Sequence, residues 1–185
     1  METMERSAGK PIVIARGGAS AEAPEHTIAA FEAALAEGAD AIALRVRVSK
    51  DGHPVVFGHA TLERTTDGRG PVASLTVREL KRLDAGGWKG PRFGGQRIQT
   101  LQEVLERFRD RTRFWIELPD GASTESGIEE RIVSTLEIYE AVALVCAVGR
   151  PGGPRPRTGS RSRRPARRAL ERGPARRGAA GHRNG

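Results

Sequence analysis

Apolar and polar positions along this 185-residue chain fall into short blocks whose period switches repeatedly. The run Pro11-Ile-Val-Ile-Ala15, closed by Arg16-Gly17-Gly18, predicts a buried strand running into a loop. After Pro24-Glu25-His26-Thr27, the residues Ile28, Phe31 and Leu35 recur at helical spacing among alanines as far as Gly38, and predict a helix. From Ala39 to Val48 the period drops to two, with Ile42, Leu44, Val46 and Val48 on one face and Ala43, Arg45 and Arg47 on the other, which predicts a second strand. Lys50-Asp51-Gly52 is a turn signal and Pro54 to Phe57 a third short strand, either a hairpin partner of the second or its parallel neighbour.

Residues 60 to 100 read as a polar excursion with one short helix, Thr76 to Leu83, of the kind that lies over a site or caps a barrel end. Thr100 followed three residues later by Glu103 is a helix-start signature, and Leu101, Val104, Leu105 and Phe108 then share one helical face. Arg113 to Leu118 predicts a strand ended by Pro119, Ser126 to Tyr139 a helix, and Leu144 to Val148 a strand. Strands and helices in alternation argue for an α/β fold, a parallel sheet with helices on its faces.

Charge changes this picture at one end only. The formal net charge of +8 hides a tail, residues 149 to 185, with 12 Arg, one Glu and no Lys, so the tail carries +11 and residues 1 to 148 carry −3. With 5 Pro, one Leu and no aromatic side chain, the tail cannot bury enough surface to offset chain entropy and is expected to be disordered. The expected organisation is a domain over residues 9–148 and a basic tail over 149–185. The tail reads either as a non-specific polyanion binder or as a passive, out-of-frame end, and its lack of aromatics gives no support for base readout. The single cysteine, Cys146, excludes an internal disulfide and reads as a small buried hydrophobe. No run approaches the roughly 20 apolar residues of a membrane helix and the N-terminus has no signal-peptide pattern, so a cytoplasmic protein without a membrane span is expected.

Several segments carry a resemblance, in one order and at matching spacing. They are Arg16-Gly17-Gly18-Ala19-Ser20, Pro24-Glu25-His26-Thr27, Gly38 to Val46, Lys50 to Phe57, Thr61 to Gly70, Leu83 to Trp88, Ile98 to Leu105 and Ile116-Glu117-Leu118. Over about residues 11 to 140 the chain resembles the glycerophosphodiester phosphodiesterase family. The resemblance implies a TIM-type (β/α)8 barrel with its site at the C-terminal ends of the strands. It also implies a reaction in which a divalent cation, Ca2+ or Mg2+, and a histidine pair split a glycerophosphodiester into glycerol 3-phosphate and an alcohol. A barrel of this type takes roughly 250 residues, whereas the patterned part of this chain stops near 148. The fold class expected is therefore α/β, a partial (truncated) barrel with a disordered Arg/Pro/Gly-rich C-terminal tail.

Set against the family's pattern, the positions that carry its chemistry are changed. Its first catalytic histidine falls on Arg16 and the arginine beside it on Gly17. The metal-ligating Glu and Asp fall on Ala43 and Arg45. The second His-Asp pair falls on Gly58-His59, so the second histidine is absent unless the loop slips by one residue and His59 substitutes for it. Glu117 matches the remaining ligand, and Pro119 stands where lysine is usual. An arginine does not exchange protons near neutral pH and a cation at a ligand position repels metal, so acid–base catalysis at Arg16 and metal affinity at Arg45 are both expected to be lost. Glu117 is then either a metal ligand or a strand-end carboxylate paired with an arginine. Arg16 and Arg45 form either a phosphate-binding pair or substitutions without a role. His26 takes the place of an asparagine at the helix start and reads as a loop or capping residue, His53 as a solvated turn residue, and Trp88 as a roof over the site or a loop anchor.

Three functions follow as expectations. The first is a family member acting on glycerophosphodiesters, inactive or very weak, a pseudoenzyme of glycerol and lipid metabolism. The second is a non-catalytic phosphate- or polyanion-binding protein using Arg16, Arg45 and the tail. The third is a damaged gene product without a selected function.

Overall fold

A computed structural model describes residues 11–118, 127–141 and 145–149. Its regular elements are β1 (Ile14–Arg16), α1 (Ile28–Ala36), β2 (Ala41–Val48), β3 (Pro54–Val56), α2 (Val77–Leu80), β4 (Gln99–Thr100), α3 (Leu101–Phe108), β5 (Arg113–Glu117), α4 (Ile128–Ile138) and β6 (Val145–Gly149). Strands β1, β2, β5 and β6 pair side by side and parallel, each next to its successor among these four. A helix lies between β1 and β2, another between β2 and β5, and another between β5 and β6, so this part of the chain is a run of βα units. The expected disordered tail lies outside the described residues, as does Pro119, and so does the expected burial of the Cys146 side chain.

The sheet is mixed rather than wholly parallel. Strand β3 pairs antiparallel with the last three residues of β2, in the register Val46 to Val56, Arg47 to Val55 and Val48 to Pro54. This settles the alternative left open by the pattern, and the turn explains it. The Ser49 N–H donates to the His53 carbonyl, the Gly52 N–H donates to the Ser49 carbonyl, and Gly52 sits at φ +84°, a left-handed conformation that glycine adopts without steric cost. Strand β4 adds antiparallel to β3.

The first strand departs from expectation in another way. Ile12 and Val13 are 61% and 58% exposed, and β1 pairs only with β2 among the described residues. An apolar run signals burial only when both flanks have neighbours, and among the described residues one flank of β1 has none.

Helices α1, α3 and α4 cover one face of the sheet. Ile42, Leu44, Val46, Phe114 and Ile116 from the strands pack with Phe31, Leu101, Val104, Leu105, Phe108, Ile128 and Ile132 from the helices. Helix α3 begins as its sequence predicts. Thr100 Oγ1 accepts from the Glu103 N–H, and the Glu103 carboxylate accepts from the Thr100 N–H. Its Phe108 meets Phe31 edge-on at 5.8 Å, and Glu32 of α1 accepts hydrogen bonds from Arg107 and Arg111, tying α1 to the end of α3.

Residues 60–98 have a core of their own. Val55, Phe57, Leu62, Val72, Leu80, Ala85 and Ile98 form a second buried cluster. Helix α2 is one short turn with a Thr76–Glu79 capping box, shorter than the Thr76 to Leu83 span predicted. The excursion is docked on the loop after β1, because Lys89 Nζ donates to the Ser20 carbonyl at 2.8 Å and Arg92 to the Glu22 carbonyl at 3.1 Å.

Truncating Phe108 to alanine removes a fully buried ring at the α1–α3 contact. Urea unfolding of Phe108→Ala is expected to show a loss of about 3–5 kcal/mol, and Thr100→Ala a loss of about 1 kcal/mol from the cap.

Candidate functional site

The strand register decides which side chains meet. Arg16 of β1 stands opposite Ala43 of β2, and Arg45 of β2 stands opposite Glu117 of β5. Since alternate residues of a strand share a face, Arg16, Ala43, Arg45 and Glu117 lie together on the face away from the helices. Arg16 and Glu117 are the last residues of β1 and β5, and Ala43 and Arg45 are the residues of β2 that the register places beside them.

Both arginines converge on one oxygen. Glu117 Oε2 accepts from Arg16 Nη2 at 2.9 Å, from Arg16 Nε at 3.3 Å and from Arg45 Nε at 3.0 Å. The Glu117 side chain is 14% exposed, Arg45 28% and Arg16 61%, so Arg16 reaches the carboxylate from the solvent side. Burial by itself would raise the Glu117 carboxyl, but the hydrogen bonds and charges of Arg16 and Arg45 outweigh it and hold the group below its ordinary value.

The loop after β3 crosses the same strand ends. Phe57 N–H donates to the Arg45 carbonyl, and Arg45 Nη1 donates to the Gly58 carbonyl at 3.2 Å. His59 Nε2 lies 2.7 Å from Glu25 Oε1, joining this loop to the one before α1. Next to Glu25 in the loop before α1, His26 packs against Gly58 of the other loop. Its backbone takes the left-handed conformation at φ +61°, with its N–H donated to the Gly17 carbonyl at 2.9 Å. His26 is 8% exposed, and its Nδ1 is buried with no hydrogen-bond partner among the described residues. Burial pushes His26 down to about 4; Glu25 and Glu117 oppose that shift, while Arg45 and His59 add to it.

A family model now decides the kinship. Residues 17–137 match the model of the glycerophosphoryl diester phosphodiesterase family, which is more than half of the chain. The chain belongs to that family. It is 45% identical over 131 residues to a glycerophosphodiester phosphodiesterase of Caldanaerobacter subterraneus subsp. tengcongensis, a match covering 70% of this chain and 54% of that protein. It is 37% identical over 139 residues to one of Bacillus subtilis, covering 70% of this chain and 46% of that protein. The chain thus spans about half the length of the curated relatives it matches. Among solved structures it is similar to the glycerophosphodiester phosphodiesterase of Agrobacterium tumefaciens, with TM-score 0.69, 35% identity and coverage of 76% of this chain and 58% of that one. It is also similar to a phosphodiesterase of Oleispira antarctica in complex with its product sn-glycerol 3-phosphate, with TM-score 0.66, 34% identity and coverage of 75% and 57%. The family fold is a TIM barrel, and the described part of this family member is a partial α/β unit with a mixed sheet.

Family members are generally divalent-cation dependent, and the donor set here does not fit one. Among the described residues, no group of three or more His, Cys, Asp or Glu side chains stands where it could hold a metal ion. The carboxylate that the described residues place at these strand ends, Glu117, is occupied by two guanidinium groups, which repel a cation. Of the other residues singled out, His53 is an exposed turn residue. Trp88 is 44% exposed and donates from Nε1 to the Ala85 carbonyl of its own loop. The cap of α1 is Thr27, whose Oγ1 accepts from the Ala30 N–H, and not His26. No helix among the described residues is long and apolar enough to cross a membrane.

Two features escape a linear reading: the Glu25–His59 pair, 34 positions apart, and the packing of His26 against Gly58. The second has a signal in the resemblance, because glycine stands at 17 and 58 where the family has large side chains, while His26 is larger than the asparagine it replaces.

Glu117 has its carboxyl below the ordinary 4.5, so its contribution to stability is present above pH 4.5 and is lost as pH falls through the lower folded value. Thermal melts from pH 3 to 7 are expected to lose part of their acid dependence in Glu117→Gln, with the largest deficit relative to the parent chain at neutral pH, where two guanidinium groups face each other without their shared carboxylate.

Proposed function

We propose that this family member recognises the phosphate group of glycerophosphodiesters, or of glycerol 3-phosphate, through Arg16 and Arg45, and does not carry out metal-dependent hydrolysis. The observation that carries this reading is the convergence of both guanidinium groups on a single oxygen of Glu117. A guanidinium fork matches the geometry of a phosphate as it does that of a carboxylate. Arg16 is mostly exposed and retains donors for an incoming oxyanion. The same two side chains supply fixed positive charge at the strand ends, where the family's chemistry draws on a cation. The relatives' names, and the product held by the Oleispira neighbour, give the substrate class. The four parallel strands are read as one part of the family barrel.

The purified chain is to be assayed for release of glycerol 3-phosphate from glycerophosphocholine, with Ca2+, with Mg2+ and with a chelator. No release above the buffer rate is expected in any of the three. Release that requires metal and disappears in Glu117→Ala overturns the proposal, as does chelator-resistant release lost in His59→Ala, which would assign acid–base work to the Glu25–His59 pair. Calorimetric titration with sn-glycerol 3-phosphate is expected to detect binding, weakened about tenfold or more in Arg45→Ala through loss of a charge-assisted hydrogen bond.

A further inference from the structure

Both arginines of the anion site are already engaged, and by an anion of the protein's own. Arg16 donates to Glu117 Oε2 from Nη2 at 2.9 Å and from Nε at 3.3 Å, and Arg45 donates to the same oxygen from Nε at 3.0 Å. The point where the two guanidinium groups converge is therefore filled by a carboxylate oxygen. A phosphate oxygen that is to touch both groups at that point has to take the place of Oε2.

We propose that Glu117 is a built-in competitor for the phosphate, an autoinhibitory contact that an incoming oxyanion relieves by drawing Arg16 off the carboxylate. The proposal rests on the phosphate-binding reading above and adds how that site is held in the absence of a ligand.

The two arginines differ in how firmly they are fixed. Arg45 lies on β2, is 28% exposed, and also donates from Nη1 to the Gly58 carbonyl at 3.2 Å. Arg16 ends β1, which pairs only with β2 among the described residues. Its side chain is 61% exposed, and among those residues it donates to Glu117 alone. An ion pair so open to water is held weakly, because solvent and salt screen the attraction and ordering a long side chain costs entropy. Arg16 is thus the arm that can change partners, and Arg45 the part that stays.

The pairing that Arg16 makes also leaves something to gain. A guanidinium fork is matched by two oxygens, one for each prong. Here both prongs fall on one oxygen, the second of them at 3.3 Å, and a phosphate group offers each prong an oxygen of its own. Simple addition of the ligand is disfavoured, since a carboxylate and an unprotonated phosphate oxygen are both acceptors, carry like charge and call on the same donors. Glu117 does not withdraw by itself, because its backbone is fixed opposite Arg45 in the sheet register and its side chain is 14% exposed. The exchange is therefore made by Arg16, and Glu117 sets the ligand concentration at which it occurs.

The full chain, Glu117→Gln and Glu25→Gln are titrated calorimetrically with methyl phosphate and sn-glycerol 3-phosphate, folding being checked by circular dichroism. Glu25 controls for charge alone. It favours the charged form of His26, as Glu117 does, but is paired with His59 and not with an arginine. Glu117→Gln is expected to bind both esters about tenfold more tightly than the parent chain, and Glu25→Gln to stay within about twofold of it. In the parent chain the NMR signal of the Arg16 Nε–H, identified by its absence in Arg16→Lys, is expected to shift as methyl phosphate saturates, because that N–H leaves Glu117. Unchanged or lower affinity in a folded Glu117→Gln, an equal gain in Glu25→Gln, or an Arg16 signal that stays in place at saturation overturns the competitor and leaves the arginine site standing. Should Glu117→Gln fail to fold, the Arg16 signal decides alone. Failure of both esters to bind any of the three chains overturns both readings.

Discussion

Strand β2 is held by different partners along its length, and the positions of the other parts follow from that. In parallel register, Ala41 to Ala43 pair with β1 on one side and Ala41 to Arg45 with β5 on the other. Its last three, Val46 to Val48, pair instead with β3 running back the other way. The strand therefore outlasts its parallel neighbours and carries the chain past the sheet's edge before turning. That overhang brings the loop Phe57-Gly58-His59 back across the strand ends, and the excursion beyond it returns to the loop after β1 through Lys89 and Arg92.

Electrostatics at those strand ends has been rearranged rather than abolished. A cluster of carboxylates draws in a cation because its own charges repel one another at short range. Here Arg16 and Arg45 stand around the carboxylate of Glu117, so the attraction is met within the protein and the excess charge is positive. A guanidinium differs from a metal ion in being directional and incapable of polarising a bound water into a nucleophile. On the function proposed above, such a site holds an oxyanion and does not cleave its ester.

What the sequence disclosed follows the range of the forces involved. Helix α3 was legible to its first residue because cap, period and apolar face are all local, and Leu101, Val104, Leu105 and Phe108 are each fully buried. The face-sorting of β2 was legible for the same reason. The exposure of Ile12 and Val13 was not, since burial of a strand depends on what lies beside it and not on its own composition. The site divided along similar lines. Arg16, Ala43, Arg45, Gly58 and Glu117 were identified by alignment with a family pattern, whereas their convergence on one Glu117 oxygen needed the strand register. Glu25 stood in a quoted motif without a role, because its partner His59 comes from a separate loop. For His26 the pattern offers a loop or a capping role; Thr27 is the cap, so the loop role remains, with the imidazole turned inward.

Strand β3 contributes neighbouring side chains to two separate cores, Val56 to the layer under the helices and Val55 to the cluster inside the excursion. A shift of β3 by a single residue would send each valine to the wrong compartment, so its alignment is fixed twice over. The next three residues, Phe57, Gly58 and His59, inherit that double anchoring. Loosening either interior, even at a residue such as Leu80 or Ile98 of the excursion's core, is transmitted through one short strand to the place where the Gly58 carbonyl accepts from Arg45. The mutational neighbourhood of this site is therefore wider than its contact shell, and drift in the excursion is constrained by the packing that holds β3 in place.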